Sequence, residues 1–194
     1  MLIDISQEIF SCNVYPGDPV PTMKRIQSIE QGDICNLTAF SMCNHNGTHV
    51  DAPFHFINNA DTIDKIGLDP FIGDCYVVRC EGDLTAEDAA NIMERAQSAG
   101  ASSRILIAGK ATITADAAHV FAQSNIKLIG NESQTVGPED APMEVHLILL
   151  GAGIVLLEGI VLTDVNEGKY LLSAAPLNLA GCDGAPCRAF LMEE

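Results

Sequence analysis

The sequence predicts an α/β fold with a mixed β-sheet, built as a single domain over residues 1–194, with β-α-β units in the C-terminal half and extra N-terminal strands. Two patterns predict it. Strand-like apolar runs alternate with helical periodicity between positions 75 and 157, and shorter alternating runs broken by turn residues precede them. With 47% hydrophobic residues, a chain of this length can bury its own core without staples.

Leu2 to Ile5 reads as a short strand. Met23 to Ile29 and Ile34 to Met42 read as two more, set off by Tyr15-Pro16-Gly17-Asp18-Pro19 and Gln31-Gly32-Asp33. Cys75 to Cys80 is a strand. Thr85 then offers an N-cap with Glu87 and Asp88 in the first turn, Ala89, Ile92, Met93 and Ala96 recur at helical spacing, and Gly100 ends the helix. The pattern repeats with a strand at Arg104 to Ala108, a helix from Thr114 to Ser124 with apolar Ala117, Ala118 and Phe121, and a strand at Ile126 to Ile129. A helix at Pro142 to Leu150 leads into the strand Ile154 to Leu157, and segments around Tyr170 to Leu172 and Arg188 to Met192 add strands. Such alternation implies parallel β-α-β units, although periodicity leaves the strand order open.

Twenty-six acidic residues against ten basic give a formal charge of −16, which repels a phosphate backbone and an anionic membrane surface. Neither nucleic acid nor membrane is an expected partner. The apolar stretch Leu147 to Leu157 is broken by Gly151 and Gly153 and is too short to cross a bilayer. The first residues show no basic patch followed by an apolar run, so no secretory signal is expected. Seven cysteines, an odd number without repeated spacing, fit reduced thiols and a cytoplasmic location. Cys182 and Cys187 resemble at most half a zinc site and are read as buried or loop thiols.

Chemistry is concentrated in His45-Asn46-Gly47-Thr48-His49-Val50-Asp51-Ala52-Pro53-Phe54-His55, which holds three of the five histidines. Imidazole nitrogen together with carboxylate oxygen suits zinc or manganese. Gly47 and Pro53 exclude a regular helix, so a loop or extended turn is expected, with His49 and Asp51 on one side where it is extended. Solvated loop histidines are the plain alternative, one that would suit a single His better than three beside an Asp. Downstream, His146 lies on an apolar helix and Glu158 follows four apolar residues. A buried carboxylate there carries a large desolvation penalty unless it is paired or bound to a cation. His119 has no such partner and reads as a surface or packing residue.

The segment from His45 to His55 resembles the signature of the bacterial cyclase family of metal-dependent hydrolases. Tyr15 to Pro19 resembles that family's proline-glycine-aspartate turn, Lys127 to Val136 the segment before its last ligands, and His146 to Gly159 its spacing from helix His to strand Glu. The resemblance implies that His45, His49 and Asp51 bind one divalent ion, and that Asp51 and Glu158 are shared with a second held also by His146. It further implies His55 as the proton-transfer residue, Tyr15 at the substrate, and a homodimer. By its formamidase branch it implies hydrolysis of an amide C–N bond in an arylformamide, such as N-formylkynurenine to kynurenine and formate. Opening of a cyclic amide or imide, and metal binding without turnover, are the competing expectations. Zinc is the expected metal, as one or two ions, with manganese next. The chain departs from the family's pattern near the substrate: Tyr15 stands where a tryptophan is usual, the chain has no Trp, and Gly109-Lys110-Ala111 replaces a longer insertion. Glu132 and Gly137 stand where Asp is common.

Overall fold

In the computed structural model, which describes residues 1–193, the strands β1 (Leu2–Asp4), β2 (Thr22–Gln27), β3 (Leu37–Ser41) and β4 (His49–Asp51) come first. They are followed by β5 (Ile72–Arg79), β6 (Gly82–Leu84), α1 (Ala86–Ser98), β7 (Arg104–Ala108), β8 (Ala111–Ile113), α2 (Ala115–Gln123) and β9 (Leu128–Asn131). The chain closes with α3 (Met143–Gly151), β10 (Val155–Glu158), β11 (Gly168–Ser173), β12 (Gly184–Pro186) and β13 (Phe190–Met192).

Nine strands form one mixed sheet in the order β1-β13-β11-β5-β7-β9-β10-β4-β12. The centre, β5, β7, β9 and β10, is parallel and the flanks are antiparallel. The strands step across the sheet in one direction, and right-handed crossovers then put every helix on one face. Alternation along each strand divides the apolar side chains between two cores. Tyr76, Val78, Ile105, Ile107, Ile129 and Leu156 meet Ile92, Phe121 and Leu149 of the helices. Val77, Leu106, Leu128, Val155 and Leu157 face the other way, onto Ile5, Val50, Leu172 and Leu191 from the flanks.

The second core exists because the sheet curls. Pro186 ends β12 at one edge and Phe190 begins β13 next to the opposite edge, so four Cα steps, ~15 Å at most, join the two ends of the sheet. The linking residues bond both flanks, Cys187 N–H donating to Thr48 O at 3.1 Å and Ile5 N–H to Ala189 O at 3.0 Å.

The sheet is mixed and the helices stand where expected, Thr85 forming a capping box with Asp88. Some boundaries differ. The strand expected at Ile126 to Ile129 begins at Leu128 and runs to Asn131, and the one expected from Ile154 begins at Val155 and closes on Glu158. β6 and β8 pair in a small parallel sheet, and β12 is a further strand, none of them signalled by periodicity in three residues each. β2 and β3 pair with each other alone, as a hairpin exposed along both strands. Among the described residues no helix is long and apolar enough to cross a membrane.

Candidate metal centre

β4 lies between β10 and β12, antiparallel to both, and its register sets Glu158 opposite His49 and Leu156 opposite Asp51. Val50 enters the second core, so His49 and Asp51 point to the other side. Glu158 shares the parity of Leu156, which faces the helices, and its carboxylate emerges beside His146 in the first turns of α3. His49 and Asp51 are 1% exposed and His146 and Glu158 2%, so four ionisable groups share a dry pocket.

His49 Nδ1 donates to Gly47 O at 3.0 Å and His146 Nδ1 to Pro142 O at 2.8 Å. A carbonyl only accepts, so each neutral ring keeps its bare lone pair on Nε2. His49 Nε2 stands 3.3 Å from Asp51 Oδ1 and 3.4 Å from Glu158 Oε2, yet neither it nor Asp51 Oδ2 has an aligned hydrogen-bond partner. His146 Nε2 lies 3.2 Å from Glu158 Oε1 and 3.7 Å from Asp51 Oδ2. Lone pairs facing each other repel, and a buried polar atom left unpaired costs ~1–3 kcal/mol. A cation among them removes both penalties. Two donors ~2.0–2.1 Å from one ion at tetrahedral angles stand ~3.3–3.4 Å apart, the separation seen around His49. These residues fit a divalent ion.

His45 approaches through the bend at Gly47, whose φ of 65° suits glycine and where an added Cβ would meet Cys12 Cβ at 3.1 Å. Its Nδ1 lies 2.8 Å from Asp51 Oδ1 and its Nε2 2.8 Å from Asp183 Oδ2. His55 ends a single 3-10 turn opened by Pro53 and stacks on His45 with ring centroids 4.0 Å apart. His55 Nδ1 is 3.2 Å from the same Asp183 Oδ2.

The carboxylates draw positive charge into this pocket. Burial opposes protonation of His45 and His49, but Asp183 and Asp51 outweigh it at His45, raised to about 11, and Asp51 and Glu158 at His49, raised to about 9. Burial likewise opposes charge on His146, and Glu158 raises it. Burial also opposes ionisation of Asp51, yet the hydrogen bond to His45 and the nearby His49 hold it well below the usual carboxylate range, and the hydrogen bonds to His45 and His55 do the same for Asp183. Protons supply that positive charge in the bare protein, and a bound metal would supply it in their place.

The cluster opens into a cavity of about 380 Å³ that Tyr15, Phe56 and Pro142 also line, within the ~300–1,000 Å³ common for small-molecule sites. The Tyr15 hydroxyl donates to Glu139 O at 2.8 Å. A larger trough of about 610 Å³ lies among Phe10, Phe40, Met42 and Leu177. None of the clustered histidines lines it, so the chemistry belongs to the smaller cavity.

Residues 3–138 match the putative cyclase family. The chain is 33% identical to a kynurenine formamidase of Salinibacter ruber (strain DSM 13855 / M31), over 99% of this chain and 97% of that protein. The chain belongs to the cyclase family. Among solved structures, a predicted metal-dependent hydrolase from Bacillus stearothermophilus is 26% identical with a TM-score of 0.80, covering 98% of this chain and 97% of the other. Isatin hydrolase A from Labrenzia aggregata, bound to benzyl benzoate, shares the fold at 21% identity, with a TM-score of 0.83 over 99% of this chain and 93% of that one.

In this cyclase-family chain the folded structure brings His45, His49, Asp51, His55, His146 and Glu158 to one cavity with Tyr15 at its wall. The family match stops at residue 138, so His146 and Glu158 arrive through α3 and the β4–β10 register. Two groups of potential ligands share Asp51: His49, Asp51 and Glu158, and His45, Asp51 and His55. His55 stands in the second group, beside His45 and Asp51. Cys182 and Cys187 are free thiols packed against the second core. Asp183 escaped the sequence reading: one acid among twenty-six, its only signal is the turn Gly181-Cys182-Asp183-Gly184. His119 is exposed.

Proposed function

We propose that this protein is a metal-dependent amide hydrolase that cleaves the C–N bond of an arylformamide, with N-formylkynurenine, giving kynurenine and formate, as the candidate substrate. The observation that carries the reading is the buried His49–Asp51–Glu158 cluster, with unpartnered His49 Nε2 and Asp51 Oδ2, beside a histidine that makes a hydrogen bond to a carboxylate. His45, His49, Asp51, His146 and Glu158 would hold one or two ions. The nitrogen and carboxylate donors favour zinc, with manganese next. Bound there, such an ion would lower the pKa of a contacting water from ~15.7 towards ~7 and polarise a carbonyl.

The chain's own residues supply the rest. With Nδ1–H held by Asp183, His55 keeps Nε2 bare, able to take a proton from the attacking water and deliver it to the departing amine nitrogen. Phe56, edge-on to His55 and stacked near His146 at 4.4 Å, keeps bulk water from that side. Tyr15 lines the opening where the aryl group would lie.

The reading includes one domain over residues 1–194, a cytoplasmic location and a homodimer. The hairpin supports the dimer: Met23 and Phe40 lie opposite each other across the two strands and are 62% and 60% exposed, and Ile26, Ile34 and Leu37 of the same hairpin are exposed too, apolar area of a kind that often marks an interface. Elemental analysis of the purified protein, together with steady-state assays on N-formylkynurenine and on a cyclic amide, tests the function. Stoichiometric metal and formate release are expected. A metal-loaded protein that opens only the cyclic amide would move the substrate, and one that hydrolyses no amide would overturn the reading.

A further inference from the structure

We infer that Asp183 is a positioning residue that couples the metal centre to the proton-transfer histidine, one oxygen holding the Nε2–H of His45 and the Nδ1–H of His55 and so fixing the tautomer and orientation of both rings. The inference rests on the hydrolase reading for its catalytic consequence and on geometry for the rest. Oδ2 lies 2.8 Å from His45 Nε2 and 3.2 Å from His55 Nδ1, and the two rings stack at 26° so that both edges reach it.

Asp183 is itself held. Asn44 Nδ2 donates to Oδ1 at 3.0 Å, which reserves Oδ2 for the imidazoles. Its carbonyl accepts from Ala52 N–H at 2.9 Å, tying the turn to the segment that follows β4. The next residue must be small: a Cβ on Gly184 would stand 2.6 Å from Val50 O and 2.9 Å from His45 Cε1. Glycine there lets β12 lie against β4 with Gly184 opposite Asp51, and this close approach carries the carboxylate under the rings.

The chemical consequence follows from which nitrogen is occupied. With Nε2–H bound to Asp183, His45 turns its Nδ1 to Asp51 Oδ1 at 2.8 Å, where an ion would be shared. A carboxylate behind a ligating imidazole fixes the ring and raises its basicity. The same oxygen holds the proton of His55 on Nδ1 and leaves Nε2 as the base. The His55 side chain is 28% exposed, and released from Asp183 it would populate both tautomers and flip. When His55 Nε2 takes a proton from water, the imidazolium forms beside Asp183, which stabilises it and keeps no proton itself. The proton then goes to the amine nitrogen and the ring returns to its starting state.

Asp183→Asn, which preserves shape, tests this in the zinc-loaded protein beside wild type. Expected are a fall in kcat of ~10- to 100-fold, zinc affinity weakened by ~10-fold, and KM nearly unchanged. The double variant Asp183→Asn/His55→Gln should be no slower than His55→Gln alone at saturating zinc, since a residue acting through His55 has nothing left to lose. Long-range imidazole ¹⁵N spectra give a readout independent of turnover: wild-type His55 should be protonated on Nδ1, and the Asn variant should mix tautomers. Wild-type kcat in the variant, additive losses in the double variant, or a wild-type His55 protonated on Nε2 would each overturn the assignment. The last measurement needs no variant, so it decides the matter even where Asp183→Asn does not fold. Should the wild-type protein hydrolyse no amide, the hydrolase reading fails alone, and the spectra with zinc affinity still judge Asp183.

Discussion

His49 shows how much one side chain can reveal about a site. Its Nδ1 is spent on Gly47 O, so its Nε2 faces two carboxylates, a pairing that only a proton or a metal cation can satisfy. That arrangement was legible in outline from residues 45–55, because imidazoles and a carboxylate clustered around a glycine bend are what a metal requires. Glu158 was legible for a different reason, as a charge closing an apolar strand where solvation is lost. Asp183 was not legible, because nothing local distinguishes an acid that hydrogen-bonds two histidines from one that faces water. The residue-scale prediction concerns His55, which touches Asp183 and the cavity but lies outside the His49–Asp51–Glu158 cluster. His55→Ala should keep its fold and most of its metal while turnover falls ~10²- to 10⁴-fold, the usual scale for losing a general acid or base. Metal content and rate measured on one preparation check it, and joint loss of both would make His55 a ligand.

Elements show where local rules suffice and where they stop. Helix α1 begins where Thr85 and Asp88 cap each other, and that much is written in four residues. The three-residue strands β6, β8 and β12 carry no periodicity and form only because partners elsewhere in the chain accept them. The hairpin of β2 and β3 sets Met23 opposite Phe40, both largely exposed although Phe10 stands edge-on to Phe40, and in the proposed homodimer a second copy would cover them. Phe40→Asp should therefore shift the protein from dimer to monomer in light scattering with little change in helix content. A dimer that survives unchanged would place the interface elsewhere. At the sheet edge, the Arg188 guanidinium hydrogen-bonds Asp4 and holds its carboxyl down to about 2 from an ordinary 3.8. A depressed carboxylate stabilises the folded state above its unfolded pKa and ceases to as pH falls through the folded value. Asp4→Asn should thus melt below wild type at pH 7, the difference closing as the pH approaches 2. A gap of constant size across that range would remove the ion pair from the account.

At the scale of the whole molecule, the metal centre is a cost the fold carries until a cation arrives. His49, Asp51, His146 and Glu158 are all buried in a chain of net charge −16, and their mutual repulsion is relieved by positive charge alone. Removing the metal with a chelator should lower Tm by an amount that grows with metal concentration, ~2.7 kcal/mol of stability being at stake at 100 times the dissociation constant. Calorimetric melts with and without metal check this. A Tm indifferent to chelation would mean that the centre is held by protons alone and binds little metal.

By itself the sequence determined the α/β class, the helices with their caps, and the clustering of three imidazoles and a carboxylate between His45 and His55. Each depends on neighbours in the chain, through period, capping or local clustering of ligands. Tertiary structure alone decided the strand order, the curl that closes a second core, and the company each site residue keeps. His49 meets Glu158 across 109 positions and His45 meets Asp183 across 138. Such pairings come from sheet register and from glycines that permit close approach. At Gly159, whose φ is 66°, an added Cβ would stand 2.3 Å from the Gly47 carbonyl, and only the folded chain brings those two glycines face to face.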